Sequence, residues 1–155
     1  AIETYDFIDK SRQAAIGGSF GGYSVNWLMG HTDRFKCIVS HAGLYNLTSF
    51  YGATEELWYP EWDLGGTPWD NPGIFAKWSP HVHAGKFKTP TLVTQCQLDF
   101  RVPLSESLQL FTALQRQGVP SRLVYFPDEG HVIYGHQNNV RWWQEIHRWF
   151  AQYLK

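Results

Sequence analysis

The stretch QAAIGGSFGGY, residues 13–23, joins a short apolar run to a glycine-rich turn and the start of a helical segment. The apolar run at 13–16 is typical of a buried parallel strand, and residues 23–31 have helical character. The turn between them matches the pattern G-x-S-x-G, centred on Ser19. Glycines on both sides permit a turn too sharp for larger side chains. We therefore predict that the Ser19 hydroxyl stands clear of a sheet and that the N–H of Phe20 lies at a helix N-terminus.

Strand and helix patterns alternate along the rest of the chain. Strands are predicted over 37–40, 91–95 and 122–126, and helices over 1–9, 104–117 and 139–154. The intervening segment 42–90 is rich in Trp and Tyr, and its Gly-Gly and X-Pro pairs indicate irregular structure. An irregular segment of this length is usually functional. The order predicts an α/β fold in which a parallel sheet carries helices on both faces.

Composition narrows the possible functions. The chain has 155 residues, of which 43% are hydrophobic and 17% charged, so it can bury a core as one domain. Its net charge of -1 gives no reason to expect a nucleic-acid partner. No apolar run approaches the roughly 20 residues of a membrane span, and no targeting segment is apparent. Cys37 and Cys96 are predicted to be free thiols in strands, with a disulfide bridge as the alternative.

Two further polar residues follow predicted strands. Asp99 comes directly after the strand at 91–95, and His131 directly after the strand at 122–126. The carboxyl ends of parallel strands lie at one edge of a sheet, which is also where Ser19 is expected. A serine hydroxyl needs a base, and the base needs a carboxylate to orient it. We predict Ser19 as nucleophile, His131 as general base and Asp99 as the orienting carboxylate.

Simpler interpretations compete with this prediction. The glycine-rich turn could bind phosphate or nothing, although a phosphate loop would normally carry Lys after its last glycine. Asp99 could cap a turn, and His131 could be a packed or surface residue. Asp128 and Glu129 are alternative carboxylates, but strand order favours Asp99. The pair at residues 81 and 83, His-Val-His, could ligate a metal, yet no cysteine or carboxylate cluster supports one, and we predict neither metal nor cofactor.

At these residues the sequence resembles the catalytic domain of the prolyl oligopeptidase family of serine peptidases, in the branch of dipeptidyl-peptidase and acylaminoacyl-peptidase type. The matching stretches are AAIGGSFGGYSVNWLMGHTDRFKCIVSHAGLYN, LGGTPWDNP, KWSP, KTPTLVTQ, LDFRVPLSESLQLFTALQRQGVPSRLVYFPDEGH and RWFAQYLK. The resemblance implies that residues 1–155 form the C-terminal portion of an α/β-hydrolase catalytic domain. It also implies hydrolysis of short peptides through an acyl-enzyme.

The resemblance assigns further residues to the site. Phe20 would supply one oxyanion N–H and line the specificity pocket. Tyr23, Tyr45 and Val102 occupy positions where such enzymes build an apolar pocket for the residue before the cleaved bond. Arg101 follows the catalytic aspartate, where some relatives use Arg to hold a substrate carbonyl. The alternatives are core packing for the two tyrosines and Val102, and a solvated or paired surface charge for Arg101.

The sequence also departs from the family pattern. Cys96-Gln97 stands where relatives commonly have Gly and an acidic residue, and residues 132–139 differ from the usual run after the catalytic histidine. Family domains are longer, so we expect the first strands of the sheet and the loop of the second oxyanion donor to be missing from this chain. This chain would then pair with the missing part or self-associate through an open strand edge. The alternatives to a peptidase are an esterase and an inactive fragment. The sequence does not decide between a cytoplasmic and an exported protein.

Overall fold

Four parallel strands in the order β1-β2-β3-β4 form the centre of the molecule, in a computed structural model that describes residues 4–155. The strands are β1 (Ala14–Gly18), β2 (Cys37–His41), β3 (Thr91–Cys96) and β4 (Ser121–Phe126). The helices are α1 (Phe20–Met29), α2 (Leu47–Tyr51), α3 (Trp58–Leu64), α4 (Pro72–Trp78), α5 (Leu104–Arg116) and α6 (His136–Tyr153), with a 3-10 helix at Pro80–Lys86. The predicted α/β fold is confirmed.

Helices cover both faces of the sheet because successive strand side chains point to opposite sides. Ile38 and Val93 pack on one face in a cluster with Leu110 of α5 and residues of α1. Val39, the next residue of β2, faces the other way and belongs to a cluster with Ile146 of α6. The two middle strands are therefore buried on both sides, which accounts for their consecutive apolar residues, Ile38-Val39 in β2 and Leu92-Val93 in β3.

Two predictions about local structure were wrong. The helix expected over residues 1–9 is absent from 4–9, which form turns, and residues 1–3 lie outside the described part of the chain. The segment 42–90 is not irregular but contains three short α-helices and the 3-10 helix. Helices of five to seven residues show little periodicity and depend on packing and caps for stability. One such cap is Asn46, whose side-chain oxygen accepts a hydrogen bond of 3.2 Å from the N–H of Thr48.

Both cysteines lie in the central strands as predicted. Cys37 and Cys96 are buried and unbridged. Burial raises the pKa of the Cys37 thiol to about 11 and that of Cys96 to about 12. Neither thiol is therefore activated as a nucleophile at neutral pH.

No helix within residues 4–155 combines the length and the apolar character that crossing a lipid bilayer requires.

Candidate active site

The turn between β1 and α1 holds Ser19 in a strained backbone conformation. Its φ is 58° and its ψ is -120°, a region that non-glycine residues rarely occupy. The neighbouring glycine is required by space, since a Cβ on Gly17 would lie 2.0 Å from the carbonyl oxygen of Gly21. Two backbone hydrogen bonds of 2.9 Å fix the turn, from Ser19 N–H to the His41 carbonyl and from Tyr23 N–H to the Ser19 carbonyl. These hydrogen bonds and the close approach of Gly17 to Gly21 hold the strained turn and so fix the position of the Ser19 hydroxyl.

The three side chains predicted to act together meet at the carboxyl edge of the sheet. The Ser19 Oγ lies 2.9 Å from Nε2 of His131, a residue 112 positions away in the sequence. The other ring nitrogen of His131, Nδ1, lies 2.9 Å from Oδ2 of Asp99. This arrangement connects a hydroxyl, an imidazole and a carboxylate, in the order that nucleophilic acyl transfer requires.

The Asp99 carboxylate is held rigidly. It is buried, and its Oδ1 accepts hydrogen bonds from the N–H groups of Arg101 at 3.1 Å and Val102 at 2.8 Å. The Gln95 side chain donates to Oδ2 at 3.3 Å and to the Val102 carbonyl at 2.9 Å. Gln95 is itself fixed by the Ser107 hydroxyl at 2.7 Å. Sequence reasoning missed Gln95 in β3 and Ser107 in α5, because a buried polar residue carries no sequence signal of its partner.

The alternative carboxylates do not serve as the orienting group for His131. Asp128 is exposed and accepts a hydrogen bond from Asn138 at 3.0 Å. Glu129 is buried, and its carboxylate accepts hydrogen bonds from Asn138 and from backbone N–H groups further along the loop. Geometry thus places Asp99 beside the imidazole, as strand order predicted.

Two adjoining cavities share Phe20, the residue that follows Ser19, in their lining. The first has a volume of about 330 Å³ and is mainly apolar; its lining residues are Phe20, Tyr23, Leu44, Leu47, Phe50, Tyr59, Pro60, Asp63, Leu64 and Trp78. The second, of about 500 Å³, shares five of these and reaches Ser19; its other lining residues are Ser19, Glu56, Trp58, Arg101 and Val102. Most of the lining comes from residues 42–90, so this segment builds the space next to the hydroxyl.

The structure brings four of the five predicted pocket residues to these cavities. Tyr23 lines the first, where its hydroxyl donates to the Trp78 carbonyl at 2.9 Å. Phe20 lines both cavities with an exposed ring, and Val102 lines the second. Arg101 lines the second cavity and forms an ion pair with Glu56, in which Nε and Oε1 are 3.0 Å apart.

Tyr45 lies elsewhere. Its ring packs in the core between the sheet and helices α1 and α5, beside Phe87, with the two ring centroids 6.4 Å apart. Burial, with a smaller effect from the Glu106 carboxylate, raises its pKa to about 12. Tyr45 thus takes the core-packing role that the sequence left open as the alternative.

A second histidine lies behind the site. His41 ends β2, and its Nδ1 is 2.8 Å from the hydroxyl of Thr94, which also accepts from the indole N–H of Trp142 at 3.0 Å. Burial lowers the pKa of His41, and the nearby His131 lowers it further. Sequence reasoning found no partners for this residue, since they come from β3 and α6.

The other histidine pair that the sequence singled out packs against aromatic rings. His81 contacts the ring of Tyr45 edge-on, and His83 stacks edge-on against Trp27 and His31. Within residues 4–155 no group of three or more His, Cys, Asp or Glu side chains is arranged to hold a metal ion.

Comparison with known proteins shows to which family the chain belongs. The model of the prolyl oligopeptidase family matches residues 1–155. The chain belongs to the prolyl oligopeptidase family. The resemblance read from the sequence motifs is thereby confirmed.

Several members of the prolyl oligopeptidase family are similar to the chain. Dipeptidyl-peptidase 5 of Porphyromonas endodontalis is 38% identical over 154 residues, which cover 96% of this chain and 22% of the relative. Dipeptidyl-peptidase 5 of Schizosaccharomyces pombe is 38% identical over 151 residues, with the same coverage of 96% and 22%. The chain thus spans 22% of the length of these curated relatives.

Solved structures show the same likeness. Pyrococcus horikoshii acylaminoacyl peptidase superposes with a TM-score of 0.94 at 26% identity, covering 99% of this chain and 26% of that one. A Mycobacterium tuberculosis puromycin-hydrolyzing peptidase superposes with a TM-score of 0.88 at 30% identity, covering 94% of this chain and 22% of that one. The four-stranded sheet therefore corresponds to part of a peptidase fold.

Proposed function

We propose that this chain carries the catalytic centre of a serine peptidase, with Ser19 as nucleophile, His131 as general base and Asp99 as orienting carboxylate. The observation that carries the proposal is the chain of two 2.9 Å contacts from Ser19 through His131 to Asp99. Membership of the prolyl oligopeptidase family supports the reaction class. The strained backbone of Ser19 supports it independently, because such strain is commonly found at functional residues.

The proposed reaction proceeds in two halves. Ser19 Oγ attacks the peptide carbonyl carbon while His131 Nε2 takes the hydroxyl proton, and Asp99 stabilises the resulting imidazolium. The negative charge on the carbonyl oxygen is met by the N–H of Phe20, which has no intrahelical partner because Phe20 is the first residue of α1. His131 then gives its proton to the leaving amine as the C–N bond breaks. Water, activated by His131, releases the acyl group from Ser19 and restores the enzyme.

The cavities favour a peptide with an apolar residue before the cleaved bond. That side chain would enter the cavity of about 330 Å³, whose apolar walls reward burial of carbon. Arg101, held through Nε by Glu56, offers its terminal N–H groups to a carbonyl of the same peptide. Relatives named dipeptidyl-peptidase and acylaminoacyl peptidase are consistent with short substrates.

We propose further that β1 pairs with another strand in the whole protein, or with a second copy of this chain. Within residues 4–155, β1 pairs only with β2, so one of its edges presents unpaired backbone groups. Ile16 of this strand is 46% exposed. Sedimentation of the chain by itself separates the cases: a concentration-dependent dimer supports self-pairing, and a stable monomer with an accessible β1 edge supports a partner strand.

The test uses three reagents on the chain and its Ser19→Ala variant. A fluorophosphonate probe should label the wild-type chain and not the variant, because only an activated hydroxyl reacts. Turnover of a chromogenic dipeptide amide at a rate comparable to a short acyl ester supports a peptidase. Ester turnover with negligible amide turnover would replace the proposal with an esterase, and absence of labelling would show that the assembled side chains are not functional in this chain.

A further inference from the structure

Glu129 is a buried carboxylate that the proposed reaction does not use. It stands two residues before His131 and is only 6% exposed, although its carboxylate makes no contact with the imidazole. Burying a charged group is costly unless it is hydrogen-bonded, so the contacts of Glu129 indicate what its burial achieves. The hydrogen bonds of its carboxylate all go to the loop and helix that follow His131.

The two carboxylate oxygens hold different points of the chain. Oε2 accepts the N–H of Tyr134 at 2.9 Å, and Oε1 accepts the N–H of Gly135, also at 2.9 Å. Oε1 accepts a third hydrogen bond of 2.7 Å from the side chain of Asn138 in α6. A Cβ on Gly135 would lie 2.3 Å from Oε1, so glycine is what lets the carboxylate approach so closely. Its negative charge also lies at the N-terminus of α6, where the helix dipole favours it.

The side-chain hydrogen bonds of Glu129 join the two ends of the loop 130–134, which contains His131. The start of this loop is also tied to another loop, because the backbone carbonyl of Glu129 accepts the N–H of Leu98 at 2.9 Å. Leu98 immediately precedes Asp99. Glu129 therefore ties the histidine loop to the aspartate loop through its main chain, and to α6 through its side chain.

We propose that Glu129 is a positioning residue, which fixes the loop of His131 so that the imidazole meets Ser19 and Asp99 at the same time. This inference rests on the proposed function. His131 must keep two contacts of 2.9 Å on opposite sides of its ring. A displacement of about 1 Å is enough to reduce turnover by around 10²-fold.

The decisive variant is Glu129→Gln, matched with Asp128→Asn as the control. A glutamine has one oxygen, so it cannot accept from both Tyr134 and Gly135 in the present geometry, and its NH₂ group would face an N–H. We expect kcat on a dipeptide amide to fall about 10- to 100-fold, with KM changed less than about twofold. Asp128 is exposed, and within residues 4–155 its side chain is hydrogen-bonded to Asn138 alone, so its variant should keep the wild-type kcat.

A second readout does not depend on turnover. The Nδ1 proton of His131, assigned by its loss in His131→Asn, should give a slowly exchanging downfield NMR signal while it is held against Asp99. In Glu129→Gln we expect that signal to exchange faster, and in Asp128→Asn to match the wild type. Asn138→Ala, which removes one of the three side-chain contacts of Glu129, should produce a smaller change in the same direction.

The outcomes separate the two proposals. A wild-type chain without turnover removes the proposed function, yet the exchange rate of the Nδ1 proton still tests the positioning role. Faster exchange in Glu129→Gln supports that role. Unchanged kcat and unchanged exchange overturn it, even if the thermal midpoint of unfolding falls, because Glu129 would then act only on stability.

Discussion

Asp99 and Glu106 are two buried carboxylates that hold their loops in the same way but differ in what their second oxygen meets. Each uses one oxygen to accept two backbone N–H groups, at 2.8 and 3.1 Å for Asp99 and at 2.8 and 3.0 Å for Glu106. The second oxygen of Asp99 faces His131. That of Glu106 accepts from the hydroxyl of Ser49 and the amide of Gln109.

The difference shows that burial and hydrogen bonding of a carboxylate do not by themselves identify a site. Both groups stabilise a loop against the sheet, and only Asp99 continues through an imidazole to a hydroxyl. Burial raises the pKa of Glu106, with the hydrogen bonds from Ser49 and the backbone opposing it. We therefore expect changes at Asp99 to appear in turnover and changes at Glu106 to appear in stability.

The largest effect is expected for Asp99→Asn. The asparagine oxygen can still accept from the backbone, but its NH₂ group then faces Nδ1 of His131 and forces the proton onto Nε2, the nitrogen that must accept from Ser19. We expect kcat for a dipeptide amide to fall about 10⁴-fold. Retention of more than about one hundredth of the wild-type kcat would contradict the role given to Asp99.

The second-largest effect is expected for a change in the turn that places Ser19 beside His131. In Gly17→Ala the new Cβ would lie 2.0 Å from the backbone of Gly21, so the strand or the helix must move. We expect the free energy of unfolding, measured in urea, to fall by about 3 kcal/mol or more.

The matched control is Gly21→Ala, where an added Cβ meets no atom of residues 4–155 within 4 Å outside its chain neighbours and the backbone of its own helix. Gly21 lies in α1, so alanine should leave stability unchanged or raise it by about 0.5–1 kcal/mol. Similar losses in the two variants would show that the space around Gly17 does not determine the turn.

Glu106→Gln tests the second carboxylate of the comparison, which we expect to act on stability. One amide oxygen cannot satisfy the donors that now approach both carboxylate oxygens, and its NH₂ group adds two more. We expect a loss of about 1–3 kcal/mol in the free energy of unfolding, with kcat within about threefold of the wild type. Glu55→Gln, at an exposed position, should change neither quantity. A loss of turnover as large as that of Asp99→Asn would end the distinction between the two carboxylates.

The smallest effect concerns pH and His41. Burial and the neighbouring His131 lower the pKa of His41 below 6.5, while Asp99 opposes the shift. Below pH 6.5 the unfolded chain therefore binds a proton at His41 more readily than the folded chain does. The free energy of unfolding consequently decreases as the pH is lowered. We expect His41→Gln to reduce the loss of unfolding free energy between pH 6.5 and pH 5. His147→Asn, on the exposed face of α6, provides the control, and an unchanged pH profile in His41→Gln would contradict the assignment.

Sequence reasoning was accurate where the signal is local. The apolar runs of β2 and β3 are buried on both faces, so their composition alone indicates parallel strands. The pattern around Ser19 has the same character, because the turn needs its glycines whatever else surrounds it. Sequence reasoning failed over residues 4–9 and within 42–90, where short segments take their form from contacts with distant parts of the chain.

The sequence by itself determined the succession of strands along the chain, the glycine-flanked turn at Ser19, and the placement of Asp99 and His131 at strand ends, since each depends on neighbours in the chain. Only the tertiary structure decided that Tyr45 packs in the core, that residues 42–90 wall the cavities, and that Glu106 and Glu129 secure their loops. Such roles are set by partners that meet only after folding. Glu106, for example, binds backbone groups 60 and 61 residues away, and no local pattern of residues records a contact across that separation.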